Sequence, residues 1–134
     1  MGLVDLTREK TRVFEKNSGR LVPIQYGDHI PWSISRVFFI TSQEKEDRGN
    51  HAHIDSYQAF FCVTGSAQLI CKDGISSTEF ELSALGDLII VPPGIWINIL
   101  LSNDSSIAVF TNLPYDEKDY INEWDVFLKF KGLR

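Results

Sequence analysis

The chain reads as an all-β protein, a jelly-roll barrel with a short C-terminal helix, over residues 1–134 as one domain. Apolar and β-branched runs of strand length recur between turn signals, which is the pattern of a sandwich or barrel. Helical periodicity stays weak until the stretch that begins at Asp116. With 134 residues, 43% of them hydrophobic, the chain has enough apolar side chains for one core of useful size.

The predicted strands follow from the N-terminus. Thr11–Glu15 and Arg20–Ile24 flank the turn Asn17-Ser18-Gly19, and Ser35–Ile40 comes next. The mostly polar stretch Thr41–Arg48 reads as a loop before a short strand His51–His53. Tyr57–Thr64 and Ala67–Lys72 flank a turn at Gly65-Ser66, and Ser77–Leu82 follows Asp73-Gly74. Asp87–Val91 follows Leu85-Gly86, Ile97–Leu101 follows Pro92-Pro93-Gly94, and Ile107–Asn112 follows Asn103-Asp104-Ser105. Each turn carries residues that tolerate tight or positive-φ geometry. From Asp116 to Phe130, Tyr120, Trp124, Phe127 and Phe130 recur at spacings of three and four, suiting one apolar helix face packed on the barrel or on a dimer partner.

Charge narrows the class of function. Thirteen basic against 18 acidic residues give a net charge of -5, and the pI is near 5.1, so the chain lacks the electrostatic footprint of a duplex-binding protein. A few arginines inside a pocket still suffice to bind a diphosphate. The N-terminal residues lack a signal-peptide apolar region and no long apolar run suits a membrane span, so a cytoplasmic protein is expected. A simple hairpin around Gly65-Ser66 would set Cys62 opposite Leu69 and Cys71 opposite Phe60. The two thiols would then be diagonal neighbours, a poor disulfide geometry, and are read as buried and reduced.

The stretch Arg48-Gly49-Asn50-His51-Ala52-His53 is the most informative in the chain, because it holds two of only three histidines in an i, i+2 pair. In a strand such side chains point to the same side, roughly 7 Å apart. Two groups that titrate near neutrality on one face suit a carbon-acid proton transfer, one removing a proton while the other donates or relays one; they also suit a metal. Arg48 precedes them as a donor for a phosphate or a developing oxyanion. Arg36 is a substrate contact or half of a surface ion pair. Gln58 is read as an orienting hydrogen-bond partner for a histidine, and Trp96 as pocket wall.

The spacing His51-x-His53-x4-Gln58-x6-Gly65, followed by Gly86-x5-Pro92-x-Gly94, resembles the two cupin motifs. The resemblance implies a double-stranded β-helix. Metal-binding cupins carry a glutamate at the position of Gln58 and a histidine at that of Ile97. Two imidazoles beside an amide and an isoleucine make a weak donor set for a transition metal, so no metal and no cofactor is expected. Arg48-Gly49-x-His51-Ala52-His53, with Arg36-Val37, Pro93-x-x-Trp96 and Pro114-Tyr115-Asp116-Glu117-Lys118-Asp119-Tyr120, is similar to the nucleotide-linked 4-keto-6-deoxysugar 3,4-ketoisomerases, the WxcM-like and FdtA-like cupins.

That resemblance implies a homodimeric isomerase acting on dTDP-4-keto-6-deoxyglucose on the way to deoxyaminosugars of surface polysaccharides, with no nucleic-acid or membrane partner. The expected site is His51 as carbon base and His53 as oxygen proton relay, with the reverse order open. Arg48, Arg36, Gln58, Trp96, Asn98 and Ser18 are the expected substrate-binding residues. Phe38-Phe39 stands where the family has a tyrosine pair, Ile97 where a polar side chain follows the tryptophan, and Ser18 where a larger side chain is usual. A roomier, less polar pocket is expected. Two alternatives remain at this stage: a 3- or 3,5-epimerase on the same sugar, and a non-catalytic nucleotide-sugar-binding cupin.

Overall fold

In the computed structural model, which describes residues 2–134, two five-stranded sheets face each other and every pairing of neighbouring strands is antiparallel. A 3-10 turn at Leu3–Asp5 leads into β1 (Thr7–Glu9), β2 (Phe14–Lys16), β3 (Gly19–Leu21), β4 (Arg36–Ser42) and β5 (Glu46–His53). Then come β6 (Gln58–Thr64), β7 (Ser66–Lys72), β8 (Ser77–Ser83), β9 (Leu88–Val91), β10 (Trp96–Leu101) and β11 (Ser105–Thr111). A 3-10 turn at Glu117–Asp119, β12 (Tyr120–Ile121) and α1 (Trp124–Phe130) end the chain. The sheets run β1-β9-β6-β11-β4 and β12-β5-β10-β7-β8, with β2-β3 as a separate hairpin. This is the jelly-roll architecture expected from the sequence.

The core lies between the sheets, where Phe60, Cys62, Ile89, Ile107 and Val109 meet Leu69, Cys71, Leu82, Ile97 and Ile99. Outer faces are covered as well. Residues Val22, Ile24, Trp32 and Ile34 pack with Ala59, Phe61, Leu88 and Ile90, which is why β6 is buried from Gln58 to Cys62 rather than alternating. On the other sheet Trp96, Ala52 and Ile121 are capped by Phe127 of α1.

Three expectations change. First, β6 and β7 do not pair as a hairpin: Gly65, at φ 72°, carries the chain from one sheet to the other. A Cβ there would lie 2.5 Å from Ser105 Oγ, so the crossing requires glycine. Cys62 and Cys71 are therefore in opposite sheets, free and buried, with thiols pushed by desolvation up to about 11 and about 12. Second, much of the expected loop Thr41–Arg48 is strand. The first five residues of β5 are solvent-exposed, so no apolar alternation marks them. Third, the helix is short and Tyr120 is not on it. Asp116 accepts a hydrogen bond from the Lys118 N–H and turns the chain, after which Tyr120 and Ile121 pair with His53 and Ala52 at the sheet edge.

Candidate active site

A β-bulge builds the functional wall. Arg48 and His51 are three apart, which in a regular strand would set them on opposite faces. The register of β5 on β10 pairs Ile97 with His51 and Asn98 with Gly49, leaving Asn50 as the extra residue. Gly49 (φ 97°) and Asn50 (φ 57°) absorb the insertion in left-handed conformations. Close approach also calls for glycine, since a Cβ on residue 49 would sit 3.0 Å from the Ile97 carbonyl oxygen. Arg48 and His51 consequently line one cavity of about 520 Å³, a size that suits a small-molecule site.

The cavity opens between the two sheets. Arg36 and Phe38 come from β4, Gln58 and Phe60 from β6, Ile97 and Ile99 from β10, and Tyr120 from β12. Arg36 lays its guanidinium over the rings of Phe38 and Tyr115, at 4.5 Å and 5.0 Å, contacts that fix a planar cation in place. Among the described residues neither Arg36 nor Arg48 has a carboxylate partner. Two unpaired guanidiniums in a pocket wall provide for an anionic ligand.

His53 does not line the cavity itself but stands edge-on to His51, with ring centroids 5.1 Å apart, and packs against Tyr120 at 4.4 Å. Its Nδ1 lies 2.7 Å from an Asp119 carboxylate oxygen, and its Nε2 is buried with no partner. The other Asp119 oxygen accepts the Asp55 N–H at 2.6 Å. Burial pushes the Asp119 carboxyl up, but hydrogen bonds from the Ser56 hydroxyl, His53 and the Asp55 amide outweigh it and hold the group below the usual carboxylate range. Both imidazoles sit below the ordinary histidine value, chiefly from desolvation. A hydrogen bond to the Gly49 backbone opposes the shift at His51, and Asp119 opposes it at His53, while the Arg36 charge reinforces it there. The pair is thus neutral at pH 7 and able to accept protons.

Of the residues expected from sequence, His51, Arg48, Arg36 and Gln58 meet at the cavity, with His53 against His51. Gln58 is not the histidines' partner, because His53 bonds Asp119 and His51 bonds the Gly49 backbone. Trp96 faces the opposite way from Ile97, packing on Trp124 and Phe127 at 5.3 Å and 5.6 Å, so it is core rather than pocket wall. Asn98 likewise turns outward and donates to Asp47 at 2.9 Å, bracing the bulge from outside. Ser18 sits exposed in the turn between β2 and β3 and does not reach this cavity. Sequence reasoning did not name Asp119 and Tyr120 as site residues, since the motif around Tyr115 and Tyr120 suited either packing or a nucleotide contact. The available signal was an acid and a phenol side by side before Ile121, and the pairing with His53 arises through an edge strand of two residues.

The chain and its fold have known relatives. The family model described as FdtA: WxcM-like, C-terminal, matches residues 4–132. A relative from Aneurinibacillus thermoaerophilus named TDP-4-oxo-6-deoxy-alpha-D-glucose-3,4-oxoisomerase is 36% identical over 114 residues, 84% of this chain and 82% of that protein. A histidine-to-asparagine mutant of the 3,4-ketoisomerase QdtA from Thermoanaerobacterium thermosaccharolyticum, solved in complex with TDP-4-keto-6-deoxyglucose, superposes with a TM-score of 0.90 at 25% identity, covering 98% of this chain and 97% of that one. WlaRA, a TDP-fucose-3,4-ketoisomerase from Campylobacter jejuni, gives a TM-score of 0.85 at 27% identity over 95% of this chain and 96% of its own. With a model match from residue 4 to residue 132 and a cupin-like jelly roll around a histidine pair, the chain belongs to the FdtA family of WxcM-like proteins.

Proposed function

We propose that this protein is a nucleotide-sugar 3,4-ketoisomerase that converts dTDP-4-keto-6-deoxyglucose to a dTDP-3-keto-6-deoxyhexose, working in the cytoplasm in deoxyaminosugar synthesis. The observation that carries the reading is a neutral histidine pair, its rings 5.1 Å apart, at a cavity that also presents two guanidiniums without carboxylate partners. The named activities of the relatives support the substrate class.

His51, which lines the cavity, removes the proton from C3, acidified by the C4 ketone, and the electrons of the broken C3–H bond form the C3=C4 double bond as the carbonyl pair moves onto O4. His53 takes the proton of the C3 hydroxyl and hands it to O4. The pair left on O3 re-forms a carbonyl at C3 as C4 receives a proton from His51, so the step is redox-neutral overall and consumes nothing. Positioned acid–base groups of this kind contribute about 10²–10⁴-fold each. Arg36 and Arg48 hold the diphosphate or the enolate oxygen. The His51 imidazole in the cavity wall, with His53 against it, the amide of Gln58 and the aliphatic Ile97, suits proton transfer better than metal binding.

A homodimer is part of the same proposal. β4 is a sheet edge with Val37 and Phe39 exposed on it, and the separate hairpin β2-β3 exposes Phe14 and Leu21. An uncovered apolar edge is a natural seat for a second copy of the chain.

The test is incubation of chelator-treated protein with dTDP-4-keto-6-deoxyglucose in heavy water, followed by NMR of the sugar ring. The expected result is a carbonyl at C3 with deuterium at C4. Deuterium exchange with the carbonyl still at C4 would instead establish an epimerase, and a folded protein giving neither exchange nor product would leave a binding module.

A further inference from the structure

We infer that Asp119 is a positioning residue that fixes His53 as the tautomer with its proton on Nδ1, so that the buried Nε2 presents a lone pair to the reaction. The argument starts from the carboxylate. One oxygen of Asp119 lies 2.7 Å from His53 Nδ1 and the other accepts the Asp55 N–H at 2.6 Å, with the Ser56 hydroxyl as a further donor. An ionised carboxylate surrounded by donors has no proton to give, so the hydrogen between Asp119 and His53 is the imidazole's own. Neutral imidazole carries only one N–H, and Nε2 is then bare.

Burial points the same way. The His53 and Asp119 side chains are 6% and 9% exposed, and Nε2 has no hydrogen-bond partner. A bare acceptor buried beside a cavity awaits a donor, whereas an Nε2–H there would be an unsatisfied donor. The groups that face His53 are Asp119 from the 3-10 turn, Arg36 from β4, His51 on its own strand and Tyr120 from β12. Only Asp119 is an anion. It therefore stabilises the imidazolium that forms each time His53 accepts a hydroxyl proton, and Arg36 opposes it.

The arrangement assigns a task to an acid four residues beyond the exposed Tyr115, on an element that contributes nothing else to the cavity except through its neighbour Tyr120. It rests on the isomerase reading only for what His53 does with its lone pair; the tautomer itself is a property of the folded chain. That separates the two tests.

The first is nitrogen-15 NMR of the wild-type protein at neutral pH, the three histidines being assigned by loss of signal in His29→Gln, His51→Asn and His53→Asn. Protonated Nδ1 and bare Nε2 at His53 is the expected result. A His53 ring protonated at Nε2 overturns the inference, whether or not the protein turns over any sugar. The second compares Asp119→Asn and Asp119→Glu in turnover. An amide can donate to Nδ1 and so favour the opposite tautomer; Asn is expected to lower kcat by about 10²-fold or more while KM changes little, and to move the acid limb of the rate profile to lower pH. Glu should recover part of kcat. Equal losses in both variants with an unmoved pH profile would reduce Asp119 to a structural brace and overturn the positioning role.

Discussion

At the scale of single residues, the two imidazoles of the site stand in different settings. His51 lines the cavity, whereas His53 is held next to it by Asp119. His51→Asn keeps a side chain of similar reach without a titratable nitrogen; turnover is expected to vanish while thermal stability and dTDP binding, read by calorimetry, stay near wild type. Wild-type turnover in that variant would remove His51 as the base. Both imidazoles lie below 6.5 in the folded protein, and a base works only when neutral. Activity should therefore persist as the pH drops through 6.5 and fall only further down; an acid limb in kcat/KM centred above 6.5 would contradict the burial argument. Folding stability follows the same linkage: between 6.5 and the lower folded-state values the unfolded chain binds protons first, so stability declines as the pH falls through that window. The histidine pair was legible in the sequence because a spacing of two survives in any strand. Asp119 was not, because its contact spans 66 positions and depends on where a tail returns.

At the scale of elements, the strands most visible in the sequence are those with one dry face and one wet face. β8, with alternating burial over most of Ser77–Ser83, was read nearly to the residue. The polar half of β5 was invisible because neither of its faces is buried, and β12 because two residues carry no period. The orientation of Trp96 and Asn98 was legible but not applied: Ile97 stands at the inward position of the motif, so strand alternation turns its two neighbours to the outer face. Gly49→Ala tests the bulge. At φ 97° with a carbonyl 3.0 Å from the new Cβ, alanine should cost about 1–3 kcal/mol. A lowered melting temperature is expected together with a loss of turnover larger than the loss of folded protein, since Arg48 and His51 are aligned through that residue. Unchanged stability and rate would show that the strand relaxes freely.

For the whole molecule, the resemblance between sequence and structure is closest in class and connectivity: ten strands were expected and found near their places, with β1 and β12 added at the sheet edges. What pairing the strands adopt was less legible, as the separation of β6 from β7 shows, because a turn signal such as Gly65-Ser66 marks a change of direction without saying which sheet receives the chain. Phe39 is 68% exposed on β4, an exposure that the proposed second copy would relieve. Phe39→Asp is expected to shift the protein from dimer to monomer in light scattering, with the wild type dimeric; a wild-type protein that is monomeric at the same concentration would remove the dimer from the proposal.

The extra residue Asn50 has a consequence of another kind. Strand alternation is a parity rule, and one inserted residue resets it, so that Arg48 and the histidines count as even to each other although three and five positions separate them. Position 50 should then accept glycine or aspartate, which tolerate its left-handed φ of 57°, far better than β-branched residues; deleting Asn50 would leave Arg48 and His51 two positions apart in a regular strand, still on one face, so such a deletion tests the bend that the bulge gives the cavity wall rather than the facing of its side chains.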